Sequence, residues 1–181
     1  LFYMLAVAAE LPSPFLNRAA EFANLGELLE FVATAFTDLV EDRIARGVYR
    51  AYAEREENLA VVRGRIDVAG DLRRNHVLRH RTFCRFAEYT EDVPENQVVR
   101  QVAHLLARWV RRPPLRLRLW RIDQALGGVA PVNVPASAID RFAYGRLNEA
   151  YRPIHRLCKL VLEWSSFAEE AGPFGFRAFL I

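Results

Sequence analysis

Residues 47–68 read GVYRAYAEREENLAVVRGRIDV, and the change of period inside this stretch decides the fold class. Before it, Leu28, Val32, Ala35, Phe36 and Leu39 recur at helical spacing, with Glu27, Glu30, Asp38 and Glu41 on other faces. This pattern predicts an amphipathic helix over 26–46. Gly47 follows the last turn, where a residue free to adopt a left-handed conformation can close a helix. From Tyr49 the spacing changes to two. Tyr49–Glu54 alternates large and small side chains, Leu59–Val68 is rich in β-branched residues, and Glu56–Asn58 reads as a turn between them. His76–Tyr89 is a further extended run anchored by Val77, Phe83 and Phe86. The region 48–90 is therefore expected to form a small antiparallel sheet or barrel.

Helical spacing returns downstream. Asp92 can cap a helix, Pro94 suits its first turn, and Glu95 stands three residues after the cap. Val98, Val99, Val102, Leu105, Leu106 and Trp109 form the apolar stripe, which Pro113–Pro114 should end. Leu115–Leu126 reads as another helix stopped by Gly127–Gly128, followed by a loop at Pro131–Pro135 and two further helices at Ser137–Glu149 and Pro153–Ala168. The region 93–168 is thus expected to be helical. Phe174–Ile181 reads as a terminal strand, and residues 2–10 as a short helix or buried strand broken at Leu11–Pro14. Strands grouped mid-chain with helices around them make an α+β fold. No repeat or low-complexity tract is present.

The 181 residues are 52% hydrophobic and 26% charged, the balance of a folded globular chain. Cys84 and Cys158 are far apart and suggest no disulfide framework, so a cytoplasmic chain with reduced thiols is expected. The apolar opening Leu1–Ala9 is about half a membrane span, and no membrane partner is expected. Position 1 is not Met and the apolar end has no polar tail, so the reading expects a segment of a longer protein. Net charge is only +3, but it is segregated along the chain. Residues 1–42 carry seven acids and one Arg, residues 43–85 eleven Arg and five acids, and residues 100–121 seven Arg and no acid. Lys159 is the sole Lys. The plainer reading of the Arg:Lys ratio is the codon bias of a GC-rich genome. It does not account for the segregation, which leaves an anionic partner surface open.

The catalytic chemistries that leave local signatures are missing. A PD-(D/E)xK nuclease holds Mg²⁺ on carboxylates beside a D/E-x-K pair, yet Leu157 stands two positions before the only Lys. There is no G-x-x-x-x-G-K-[ST] phosphate loop and no G-x-S-x-G nucleophile turn. His76, His80 and Cys84 recur every four residues, and His155 and Cys158 are three apart. The first set lies in an extended run and lacks a fourth ligand, so no metal site and no catalytic residue are expected. Arg63-Gly-Arg-Ile-Asp67 is the sharpest local feature. Alternation would put Arg63, Arg65 and Asp67 on one side of a strand, able to bind a phosphate or a partner carboxylate. The plainer reading is a solvated strand face with a cross-strand ion pair to Glu88. In the basic stretch, Arg111, Arg112, Arg116 and Arg118 could meet nucleic acid, with Trp109 and Trp120 as stacking platforms or, more simply, as core anchors.

An ordered set of segments resembles the McrC family. Phe2–Ala8 is similar to its YYMLxYA opening, Arg63–Asp67 to its (R/K)GRI(D/E) strand, and Cys84–Asn96 to its C-x-(F/Y)-D-E-(F/Y)-(T/S)-x-D-x-P-x-N-R stretch. Leu147-Asn148 with Tyr151-Arg-Pro153 resembles its R-L-N-x-x-Y-x-P element, and Phe174–Leu180 its AFLFDM strand. Ala87 stands where the family usually has Asp, and Gln97 where it often has Arg.

The resemblance implies a component of a modified-cytosine restriction system. It would dock on McrB, a GTP-hydrolysing AAA+ ring, stimulate that hydrolysis and couple it to a nuclease module that follows in the family and is absent here. GTP and Mg²⁺ would belong to the full complex, with no cofactor in this chain, and DNA would be met through the complex. Arg63, Arg65, Asp67, Arg73 and Arg74 are the candidates for the ring contact. A basic DNA-binding module without catalytic activity is the alternative.

Overall fold

The computed structural model describes residues 25–77 and 80–170. The expected opening segment and the terminal strand at 174–181 lie outside the described residues. The described chain has an α+β fold and divides into two compact units, a helical one and a sheet unit formed by Arg50–Val93.

The helical unit contains α1 (Leu25–Ala45), which buries Leu28, Val32, Ala35 and Phe36 of the predicted stripe and, beyond them, Val40. Gly47 ends it with φ +102, and its carbonyl accepts from the Arg43 guanidinium. After the sheet unit, α3 (Pro94–Trp109) buries Val98, Val102 and Leu106. Pro113 and Pro114 do not merely end α3. They open α4 (Pro113–Ala125), where a missing N–H costs nothing because first-turn donors have no intrahelical partner. The long helix α6 (Arg152–Glu170) adds Ile154, Leu157 and Val161 to the same core.

The helix expected over Ser137–Glu149 does not form. Only α5 (Ala136–Ile139) and a 3-10 turn at Glu149–Tyr151 are helical there. The physical reason is Asn148, whose amide takes the backbone between them. Its Oδ1 accepts from the Gly145 N–H at 2.7 Å, and its Nδ2 donates to the Ala143 carbonyl at 3.0 Å.

The sheet unit is an open three-stranded antiparallel sheet of order β1-β3-β2, with β1 at Ala51–Leu59, β2 at Arg65–Ile66 and β3 at Thr82–Thr90. Between β2 and β3 lies a helix that periodicity missed, α2 (Val68–Arg74). The turn expected at Glu56–Asn58 is absent. β1 runs through it, with Glu56 opposite Arg85 and Asn58 opposite Phe83. The Glu56 carboxylate meets the Arg85 guanidinium at 2.6 Å, which favours continued pairing over a turn. Of the run Leu59–Val68, Leu59 ends β1, only Arg65 and Ile66 form β2, and Val68 opens the next helix; Gly64 takes φ +71 just before β2.

Candidate functional site

The sheet register sorts the Arg63–Asp67 motif, and it does not place the motif as one polar row. Arg65 is directly opposite Arg85, whereas Arg63 lies over the Phe86 ring at 4.2 Å and reaches Glu88 at 3.4 Å. Phe86 and Glu88 share one face of β3, and Arg85 lies on the other. The left-handed Gly64 breaks the alternation between the two arginines. Its position is crowded: a Cβ there would stand 2.6 Å from the Arg85 carbonyl oxygen. The cross-strand pair to Glu88 is therefore present. Arg55 joins it, with Nε 3.8 Å from Glu88 and its far nitrogen 2.6 Å from Asp92.

Asp67 caps α2, its Oδ1 accepting from the Gly70 N–H at 3.0 Å. Asp71 then accepts from the Phe83 N–H at 2.7 Å and from Asn75 Nδ2 at 2.6 Å. The Asn75 hydrogen bond holds the Asp71 carboxyl below its ordinary pKa, with the Phe83 N–H adding to the effect. Asn75 and Asn58 exchange amide hydrogen bonds, which fastens the end of α2 to β1. Arg74 lies over the Phe83 ring at 4.2 Å. Three of the five arginine and aspartate candidates, Arg63, Asp67 and Arg74, thus have intramolecular work. Arg65 and Arg73 are exposed, and neither guanidinium has an ion-pair partner among the described residues.

The sheet unit's apolar surface was not anticipated from the sequence. Of the twelve exposed large hydrophobic residues among those described, eight lie within residues 50–93: Tyr52, Val61, Val62, Ile66, Val68, Leu72, Val77 and Tyr89. The buried side of this unit is small by comparison, resting on Phe83, Cys84, Phe86 and Val93. Tyr52 and Tyr89 face each other across β1 and β3 with ring centroids 5.2 Å apart, and both remain mostly exposed. Exposed apolar area of this extent in a short folded unit is the kind of surface that protein interfaces cover. The alternation of β1 and the β-branched content after it were visible in the sequence; which of those residues would be exposed was not, because that depended on α2.

The arginine run of the helical unit is split in the same way. Arg118 is held between α1 and α4 by Asp38 at 2.5 Å and Glu41 at 2.7 Å, and these hydrogen bonds raise its pKa further above the ordinary value. Arg100 pairs with Asp123 at 2.9 Å. The backbone N–H groups of Arg111 and Arg112 donate to Glu30 Oε1. Arg116 donates to the Val110 carbonyl, a contact that leaves its charge uncompensated. Trp109 packs against the core, whereas Trp120 is 58% exposed.

The histidines and cysteines do not converge. His76 and His80 are exposed while Cys84 is buried, and among the described residues no group of three or more His, Cys, Asp or Glu side chains could hold a metal ion. His155 is fully buried and serves structure. Its Nε2 is 3.0 Å from the Glu95 carbonyl, which can only accept, so Nε2 carries the proton and Nδ1 accepts from the Tyr144 hydroxyl at 2.9 Å. Burial lowers its pKa to about 4 and pushes Tyr144 up to about 12. Burial also drives the Cys158 thiol up, far from the range of a reactive thiolate. No helix among the described residues is long and apolar enough to cross a membrane.

A family model described as McrBC 5-methylcytosine restriction system component matches residues 1–181. Among solved structures, the chain is similar to a chain of the Thermococcus gammatolerans McrBC complex determined by cryo-EM. The identity is 22% and the TM-score 0.59, over 74% of this chain and 40% of that one. A refined half-complex from a tetradecameric assembly of Thermococcus gammatolerans McrB AAA+ hexamers with bound McrC gives the same identity and TM-score, over 74% of this chain and 32% of that one. At this identity the likeness is one of fold, and the chain spans well under half the length of the solved chains it matches. No curated protein matches.

Proposed function

The chain belongs to the family of McrBC 5-methylcytosine restriction system components, and from that premise we propose that it is an McrC-like docking component. In this reading the sheet unit Arg50–Val93 binds an McrB-like AAA+ GTPase ring. The chain stimulates the ring's GTP hydrolysis and couples it to a downstream nuclease module, with GTP, Mg²⁺ and DNA handled in the full complex.

The observation that carries the proposal is the concentration of exposed apolar side chains in the sheet unit, beside the unpaired guanidiniums of Arg65 and Arg73. Such a surface combines apolar area for affinity with free cations for orientation. The McrB hexamers of the similar solved assembly carry bound McrC, which supports the same kind of partner here. Arg63, Asp67 and Arg74 contribute by shaping this surface from within the unit.

The test is GTP turnover by the matching McrB-like ring with the full chain added. Wild type should stimulate turnover. Arg65→Ala/Arg73→Ala and Val61→Ser/Leu72→Ser should each weaken the half-maximal concentration about ten-fold or more, as loss of an interface anchor does. Equal stimulation by all three proteins would contradict docking through this surface.

A further inference from the structure

The outer side of α4 carries an unneutralised cationic ridge that ends in an exposed indole. Arg112 is the residue that caps the start of α4, and within the helix Arg116 and Trp120 stand at four-residue spacing on one side, about 6 Å apart along the axis. Leu117 and Arg121, also exposed, run beside them. The acids that could quench this ridge are engaged elsewhere: Asp38 and Glu41 hold Arg118, and Asp123 holds Arg100. Glu30, at the start of the ridge, is taken by the backbone N–H groups of Arg111 and Arg112. Among the described residues, the side chains of Arg112, Arg116 and Arg121 have no carboxylate partner.

We propose that this α4 face is a nucleic-acid contact, in which Arg112, Arg116 and Arg121 bind successive phosphates of a single DNA strand and Trp120 stacks on an unpaired base. Guanidiniums recognise phosphate oxygens in bidentate fashion, and an exposed aromatic ring next to them accepts any base. A core-packing role accounts for Leu119 and Ile122 on the inner side of α4, but not for a Trp left in water between arginines. The contact is separate from ring docking: it lies on a helix of the helical unit and uses none of the sheet unit's residues.

The experiment is anisotropy of a fluorescently labelled single-stranded oligonucleotide, and of its duplex, titrated with the full chain over a range of salt. Wild type should bind the single strand in a salt-dependent way. Arg112→Glu/Arg116→Glu should weaken binding at least ten-fold and flatten the log–log salt slope by roughly 1.4, two phosphates' worth. Trp120→Ala should weaken single-strand binding about ten-fold and affect the duplex less. Arg141→Glu/Arg146→Glu, the same charge change beyond α5, should have little effect, and circular dichroism should show all variants folded.

Several outcomes would overturn the proposal. These are no binding at low salt, equal losses in the ridge and control variants, or Trp120→Ala leaving single-strand binding unchanged. Ridge variants that bind DNA normally but fail to stimulate the ring would make this face a protein interface instead. Normal stimulation alongside lost DNA binding keeps the two contacts distinct.

Discussion

Gly64 illustrates how one residue shapes the surface of the sheet unit. Its φ of +71 turns the chain so that Arg63 and Arg65 serve opposite faces, and a Cβ would meet the Arg85 carbonyl oxygen and the Phe86 Cβ at 2.6 Å. Gly64→Ala is expected to lower stability by about 2–4 kcal/mol, combining backbone strain with overpacking. Chemical denaturation measures this, and a loss below about 0.5 kcal/mol would mean the neighbouring strand yields freely. His155 makes a prediction in pH. The folded state keeps the ring neutral with a pKa of about 4, whereas an unfolded chain protonates it near 6.5. The unfolded state therefore binds more protons between those values. Stability is intact above pH 6.5 and falls as pH drops toward 4, by on the order of 3 kcal/mol in full. His155→Gln, which does not titrate, should remove this part of the pH profile. An unchanged profile would place the acid sensitivity in other groups.

At the scale of elements, Arg118 ties α4 to α1 through Asp38 and Glu41. Arg118→Met should cost about 1–2 kcal/mol, since it leaves two carboxylates facing each other without their cation, and the deficit should shrink as salt is added. A deficit independent of salt would point to packing alone. This contact also shows what the sequence could and could not convey. α1 was legible because Leu28, Val32, Ala35 and Phe36 repeat at the spacing of a buried stripe, and α3 was legible for the same reason. α2 was not, because its seven residues bury nothing and its formation rests on Asp67 as a cap and on Asp71 reaching Phe83 in a later strand. Ser137–Glu149 failed as a helix because Asn148 closes a turn on Gly145, a local competition that apolar spacing does not register. For the candidate site, the arginines were visible, but their partners were not. Arg118 finds acids about eighty residues away in sequence, so its charge reads as free until the helices are packed.

Across the whole molecule, the two units differ in how they place their apolar side chains. The helical unit owns a continuous core in which Phe36, Leu106, Leu119, Ile154 and Leu157 are fully buried. The sheet unit has few buried side chains and many exposed apolar ones. Local stability should follow that difference, so amides of α3 and α6 should exchange more slowly with solvent than those of β1 and β3. A partner that covers the sheet unit would reverse part of this contrast. Amide hydrogen exchange of the full chain, alone and with the matching McrB-like ring and GTP, therefore distinguishes docking through the sheet unit from docking elsewhere. Docking through the sheet unit predicts slowed exchange within Arg50–Val93, centred on residues 51–77, with little change in α4 and α6. Unchanged exchange in the sheet unit, with new protection confined to the helices, would contradict it.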